Sequence, residues 1–112
     1  MFKLEPAPTF SAAVGLTVPG QAAPGSITFT FRHQPRAALQ AWLARPTNEP
    51  GLLDSAYLGA VIAGWSGPVD PDGQAVAYSA QALEDLVQNY PAAGREIFDA
   101  YLRELTESRR GN

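Results

Sequence analysis

Two runs of strict alternation, Phe10 to Val18 and Ser26 to Arg32, limit the fold of this chain more than any other feature. In the first, Phe10, Ala12, Val14, Leu16 and Val18 fall on one side, and Ser11, Ala13, Gly15 and Thr17 on the other. In the second, Ile27, Phe29 and Phe31 oppose Thr28 and Thr30. A period of two marks a half-buried strand, because successive side chains leave opposite faces of the pleat. The β-branched and aromatic residues suit that surface. Pro19-Gly20 stops the first run, and Pro24-Gly25 breaks the chain before the second. The two runs read as an antiparallel pair joined by a mobile loop, Pro19 to Gly25, which is longer than a two-residue hairpin turn.

Beyond Arg32 the period changes. Pro35 suits the first position of a helix, where its missing N–H is no loss. Leu39, Trp42 and Leu43 share one face of that helix at spacings of three and four, and Pro46 ends it. Thr47 to Gly51 reads as a loop. Leu53, Tyr57, Ala60, Val61 and Gly64 again follow the helical period and predict a second helix. It is crowded with small residues (Ala56, Gly59, Ala60, Ala63, Gly64), which weaken helicity at the glycines but admit a close neighbour. Asp70-Pro71-Asp72-Gly73 is a strong reverse-turn signal. Val76 and Tyr78 suggest a short strand. Ser79 is a good helix N-cap, with Tyr78 and Leu83 placed to pack as a hydrophobic staple. Leu83, Leu86, Val87 and Tyr90 line one face of a third helix. Pro91 begins a fourth, whose apolar stripe is Ile97, Phe98, Tyr101, Leu102 and Leu105. Glu96, Asp99, Arg103, Glu107 and Arg110 fall on its other faces, and Ser108 to Asn112 is a polar, frayed tail. The expected fold is α+β: an N-terminal antiparallel β-hairpin or small sheet packed with about four α-helices. A chain of 112 residues predicts a single domain, 1–112, large enough for one ordinary core.

Composition removes several classes of function. A 46% hydrophobic content is globular, not disordered. The net charge is -3 and the eight Lys and Arg are scattered, so nucleic acid is a poor partner. The absence of cysteine excludes a disulfide scaffold, thiolate zinc sites and cysteine nucleophiles. No stretch approaches the length of a membrane helix. The opening Met1-Phe-Lys-Leu-Glu-Pro lacks the apolar middle of a signal peptide, so the protein is expected to work where it is made.

Individual residues give no chemistry. His33 is the single histidine and sits between a strand end and a helix, where a polar linker residue is expected; no nucleophile and orienting partner accompany it. Asp70-Pro71-Asp72-Gly73 resembles part of a calcium loop. Placing Gly73 at the sixth loop position puts Pro68 at the first and Ser79 at the twelfth, so both end ligands are missing and a plain turn is the better reading. Neither G-x-G-x-x-G nor G-x-x-x-x-G-K occurs. Glu84, Asp85, Glu96 and Asp99 read as solvated helix faces rather than paired catalytic carboxylates. Arg109-Arg110 is a charge pair near a helix C-terminus, where cations complement the dipole. Trp42 and Trp65, each among apolar neighbours, read as core residues. The chain is not expected to be an enzyme or to hold a cofactor or metal.

The order of motifs is more telling than any one of them. F-x-A-x-V-x-L-x-V-P-G (Phe10 to Gly20) precedes F-T-F-R (Phe29 to Arg32), A-W-L (Ala41 to Leu43) and G-W (Gly64-Trp65). Then follow D-x-D-G (Asp70 to Gly73), V-A-Y-S (Val76 to Ser79), L-x-x-L-V-x-x-Y-P-A-A (Leu83 to Ala93) and I-F-D-A-Y (Ile97 to Tyr101). Across nearly its whole length this order resembles the tail assembly chaperones of long, noncontractile-tailed bacteriophages and derived prophages. That family often ends in a basic residue followed by Asn; here Gly111 stands before Asn112. The resemblance implies a non-catalytic assembly factor in the bacterial host cytoplasm. It implies binding to the tape-measure protein and recruitment of tail-tube protein, in many phages through a frameshifted C-terminal extension. Weak self-association is also expected. The alternative is a structural tail-completion or joining protein retained in the virion. The alanine- and glycine-rich faces of the second and fourth helices either form a groove for a tape-measure helix or pack on each other, packing being the commoner use. Tyr57, Tyr90 and Tyr101 are the candidate anchors at the rim of such a groove.

Overall fold

The computed structural model describes residues 2–45 and 53–107. The expectations for Pro46, the Thr47–Gly51 loop and the tail from Ser108, with Arg109 and Arg110, lie outside the described residues. Within them the fold is α+β. β1 (Thr9–Leu16), β2 (Gly25–Arg32) and β3 (Ile62–Ser66) form one antiparallel sheet in the order β1-β2-β3. Four helices accompany it: α1 (Arg36–Leu43), α2 (Ser55–Gly59), α3 (Ala80–Asn89) and α4 (Ala93–Thr106).

The alternation in sequence sets the two sides of the sheet. Ala12, Val14 and Leu16 of β1 and Ile27, Phe29 and Phe31 of β2 are buried, while Ser11, Ala13, Gly15 and Thr28 are exposed. The helices cover the apolar side. α4 brings Ala93, Ile97, Ala100 and Tyr101 onto it, α3 adds Leu83, and the α2 region adds Tyr57, Leu58 and Val61. The β1–β2 connection begins with a turn in which the Gln21 N–H donates to the Val18 carbonyl at 3.0 Å and Gly20 takes φ +84°. Proline followed by a positive-φ glycine is the combination a type II turn requires.

The third strand departs from expectation. The sequence period predicts a helix through Leu53–Gly64, but α2 stops at Gly59 and Ile62–Ser66 pairs with β2, with a register shift between Thr30 and Phe31. The bare edge of β2 decides this. A short apolar run is ambiguous by periodicity, and here pairing satisfies two rows of backbone groups at once. Trp65 consequently sits on the sheet opposite Phe29, half-buried rather than enclosed. Its ring meets Phe29 and Tyr78 edge-on at 6.1 and 5.1 Å, and its Nε1–H donates to the Val76 carbonyl at 2.8 Å. Val76 and Tyr78 form no strand; the pairing there is a single bridge, Val69 to Ala75.

Asp70–Gly73 is the turn that the sequence predicts. The Asp70 Oδ1 accepts N–H bonds from Asp72 and Gln74 at 2.9 and 3.0 Å, and the Gly73 N–H donates to the Asp70 carbonyl at 2.9 Å. Gly73 takes φ +82° with open space where a Cβ would stand, so a side chain there is opposed by the backbone alone. Gly73→Ala is expected to lower stability by about 1–2 kcal/mol in urea unfolding. A loss within about 0.5 kcal/mol, the scale of neutral surface changes, would show that the turn relaxes freely.

The helix ends largely follow their sequence signals. Ser79 Oγ accepts the Ala82 N–H at 3.0 Å, and Asp54 Oδ1 accepts the Tyr57 N–H at 2.8 Å. Pro35 sits one place earlier than expected, as the N-cap of α1, and Pro91 lies in the turn before α4 rather than in its first position.

Candidate functional site

The tyrosines expected at a rim do not share one: Tyr57 and Tyr101 both pack on Trp42, whereas Tyr90 caps the C-terminus of α3. Tyr57 and Tyr101 are 2% and 0% exposed. Tyr57 stacks on Trp42 with centroids 4.3 Å apart, and the pair is tied reciprocally: the Tyr57 hydroxyl donates to the Trp42 carbonyl at 2.9 Å, and the Trp42 Nε1–H donates to the Tyr57 carbonyl at 3.2 Å. Burial raises the Tyr57 hydroxyl above its ordinary pKa, against a smaller opposing effect of the Arg45 guanidinium, which lies 4.8 Å over the ring. Tyr101 donates to the Arg32 carbonyl at 2.8 Å, and burial pushes its hydroxyl up to about 12. Both side chains are core, so neither presents itself to a partner. An amphipathic residue whose polar tip finds a backbone carbonyl inside the protein can be buried completely. Tyr90 is half-buried at the end of α3.

The small-residue helix faces are occupied as well. A Cβ on Gly94 would stand 2.8 Å from the Leu53 carbonyl oxygen, so α4 lies against the chain entering α2 with no room between. A Cβ on Gly59 would meet Leu83 and the Tyr78 hydroxyl at 3.7 and 3.8 Å. At Gly94 and Gly59 these faces pack on their neighbours.

The carboxylates divide. Asp85 accepts from Gln81 within α3, and exposed Asp99 faces Arg95 at 3.7 Å within α4. Glu84 and Glu96 do more than solvate a helix face. Glu84 accepts from the Ser55 hydroxyl at 2.6 Å and joins α3 to α2. Glu96 accepts the Thr17 N–H at 2.9 Å and the Thr17 hydroxyl at 2.5 Å, closing the end of β1 onto α4. Spacing along the helix could not reveal either bond, because the partners are 29 and 79 residues away. His33 serves the backbone: its N–H donates to the Pro8 carbonyl at 2.9 Å, beside the start of β1. Among the described residues no group of three His, Cys, Asp or Glu is placed to hold a metal, and no helix is long and apolar enough to cross a membrane.

What remains open is an apolar groove at the end of the sheet where β1 finishes and β2 begins. Its cavity is about 310 Å³, lined chiefly by Leu16, Val18, Ile27, Val69, Leu86 and Tyr90. The alternation that buries Leu16 continues past the strand end to Val18, which is half-buried at the groove. Gly67 builds the opposite wall. It takes φ +121°, and a Cβ there would stand 3.3 Å from the Ser26 carbonyl, so glycine lets Pro68-Val69 cross close over β2. Val69 is 61% exposed at the lip. A second cavity of about 320 Å³, under the Pro19–Pro24 loop, shares Val18. None of the residues lining either cavity is charged, so the surface offers apolar contact and no acid–base chemistry. Of the three tyrosines expected at a rim, Tyr90 alone lines it. The groove is built from four chain segments, and no single run of sequence displays it.

A family model described as phage tail assembly chaperone matches residues 1–112, the whole chain. No curated protein and no solved structure matches it.

Proposed function

The chain belongs to the phage tail assembly chaperone family, and on that premise we propose that it binds the tape-measure protein before the tail is built and helps recruit tail-tube subunits to it. The role is non-catalytic and is carried out in the host cytoplasm. The observation that carries the reading is the uncovered apolar groove between the sheet end and α3. A tape-measure chain awaiting its tube exposes apolar helical faces, which invite aggregation. A groove of this kind covers such a face by taking side chains at i, i+3 and i+4 of an amphipathic helix. Many weak copies along one long chain hold it by multivalency, with weak contacts between neighbouring copies adding to the effect.

Co-expression tests this. With the chaperone present, the tape-measure protein is expected in the soluble fraction, and the two co-purify with several copies per tape-measure chain at about micromolar affinity per contact. A tape-measure protein equally soluble alone, with no complex at tens of micromolar, would end the reading. Stoichiometric amounts of this protein in mature tails would select a structural tail-completion or joining protein instead.

A further inference from the structure

The groove has a definite electrostatic setting. No lysine or arginine occurs between Arg45 and Arg95, and no charged residue of either sign between Glu5 and Arg32. Those two stretches supply every residue that lines the groove. The charged residues that adjoin its lining in sequence or through a hydrogen bond are acidic. Asp70 follows Val69 at the lip, Asp72 lies in the same turn, Asp85 precedes Leu86 on α3, and Glu96 holds Thr17 between the lining residues Leu16 and Val18. Asp70, Asp85 and Glu96 accept hydrogen bonds from neutral N–H and O–H donors. Arg95, the nearest basic residue in sequence to Glu96, is directed along α4, 5.5 Å over the Phe98 ring and 3.7 Å from Asp99.

The backbone limits the shape of the occupant. β1 and β2 pair with each other to their ends, Leu16 with Gly25, and the Val69–Ala75 hairpin closes on itself. An extended peptide crossing the strand ends would find no ladder between β1 and β2 to join. A helix satisfies its own backbone and needs only room for side chains. At roughly 30 Å³ per heavy atom, the 310 Å³ cavity takes about ten heavy atoms, or two to three leucine side chains.

We infer that this groove takes a cationic amphipathic helix, with leucine-like side chains seated against Leu16, Val18, Val69 and Leu86 and flanking Lys or Arg facing Asp70, Asp72, Asp85 and Glu96. The inference deepens the chaperone reading and rests on it: the segments of a tape-measure protein that the groove selects are those with basic flanks. Apolar contact supplies the holding, and the carboxylates supply orientation, discrimination and encounter rate.

Two synthetic helices test it by fluorescence anisotropy on the full chain. Both carry leucines at i, i+3, i+4 and i+7; one is flanked by lysines and the other by glutamates at the same positions. The lysine helix is expected to bind at least about tenfold more tightly at about 50 mM salt, the advantage shrinking several-fold at about 500 mM, where the screening length falls to a few ångströms. Val69→Asp, a change at an exposed position, is expected to abolish binding while leaving the melting temperature nearly unchanged. The double variant Asp72→Asn with Glu96→Gln is expected to bind the lysine helix about three- to tenfold more weakly at low salt and equally at high salt. Equal binding of the two helices, or full binding by the Val69→Asp variant, overturns the inference. Tighter binding of a Met1–Pro8 peptide, whose Phe2 and Leu4 are exposed at either side of Lys3, would overturn it in favour of a second copy as occupant. If the tape-measure protein co-purifies equally with wild type and with Val69→Asp, the groove assignment fails and the chaperone function stands. If it co-purifies with neither, the chaperone function fails.

Discussion

Tyr101→Ala should cost the protein a large share of its stability, lowering both its urea midpoint and its melting temperature. The side chain is fully buried and touches three other rings, with centroids 6.0 Å from Phe10, 5.1 Å from Phe31 and 5.5 Å from Trp42. It thereby joins α4 to both N-terminal strands and to α1. Truncating a large buried aromatic costs about 3–5 kcal/mol, and the loss of the hydroxyl leaves the Arg32 carbonyl without its 2.8 Å donor. Against a total stability of about 5–15 kcal/mol for a domain of this size, that is a large fraction. Tyr101→Phe isolates the hydroxyl and should cost about 1–2 kcal/mol. Urea unfolding of the two variants separates ring from hydroxyl; a loss below about 1.5 kcal/mol for alanine would mean that the cluster repacks around the cavity.

The same residue gives the protein an alkaline limit. Its hydroxyl ionises near 10 when exposed and at about 12 in the folded protein. Between those values the unfolded chain releases the proton while the native state keeps it. Stability from this group is therefore full below pH 10 and is lost as pH rises towards 12. Tyr101→Phe should lack that share of the alkaline loss.

Gly94→Ala should destabilise, against the usual rule. In a helix, alanine in place of glycine ordinarily gains about 0.4–1 kcal/mol by restricting the unfolded chain. Here the new methyl would stand 2.8 Å from the Leu53 carbonyl oxygen and 3.4 Å from its Cβ. Leu53 cannot retreat freely, because the next residue, Asp54, caps α2 through the Tyr57 N–H. Overpacking against a fixed backbone costs about 1–3 kcal/mol, and Gly94→Ala should show a net loss in that range. Gly59→Ala is the control: its methyl would meet Leu83 and Tyr78 at ordinary contact distances, so that change should be neutral or slightly stabilising. If Gly94→Ala stabilised the protein as much as the control, the close approach of α4 to the α2 entry would not exist in solution.

The amino-acid order by itself determined the elements whose signals are local. The inward residues of β1 and β2, the turn at Asp70–Gly73, the Ser79 cap and the apolar stripe of α4 each depend on neighbours within a few positions. The tertiary structure decided the rest. Whether Ile62–Ser66 coils or pairs depends on the free edge of β2, some thirty residues earlier. Whether Tyr57 and Tyr101 face a partner or the core depends on the carbonyls of Trp42 and Arg32, which the fold brings to their hydroxyls. Whether Glu96 is a surface charge or a strand latch depends on Thr17. The groove exists because Leu16 and Val18, Pro68-Val69, and Leu86 with Tyr90 arrive at one end of the sheet. Period and propensity are properties of a short window, whereas a contact between distant segments is set by how whole elements close over one core.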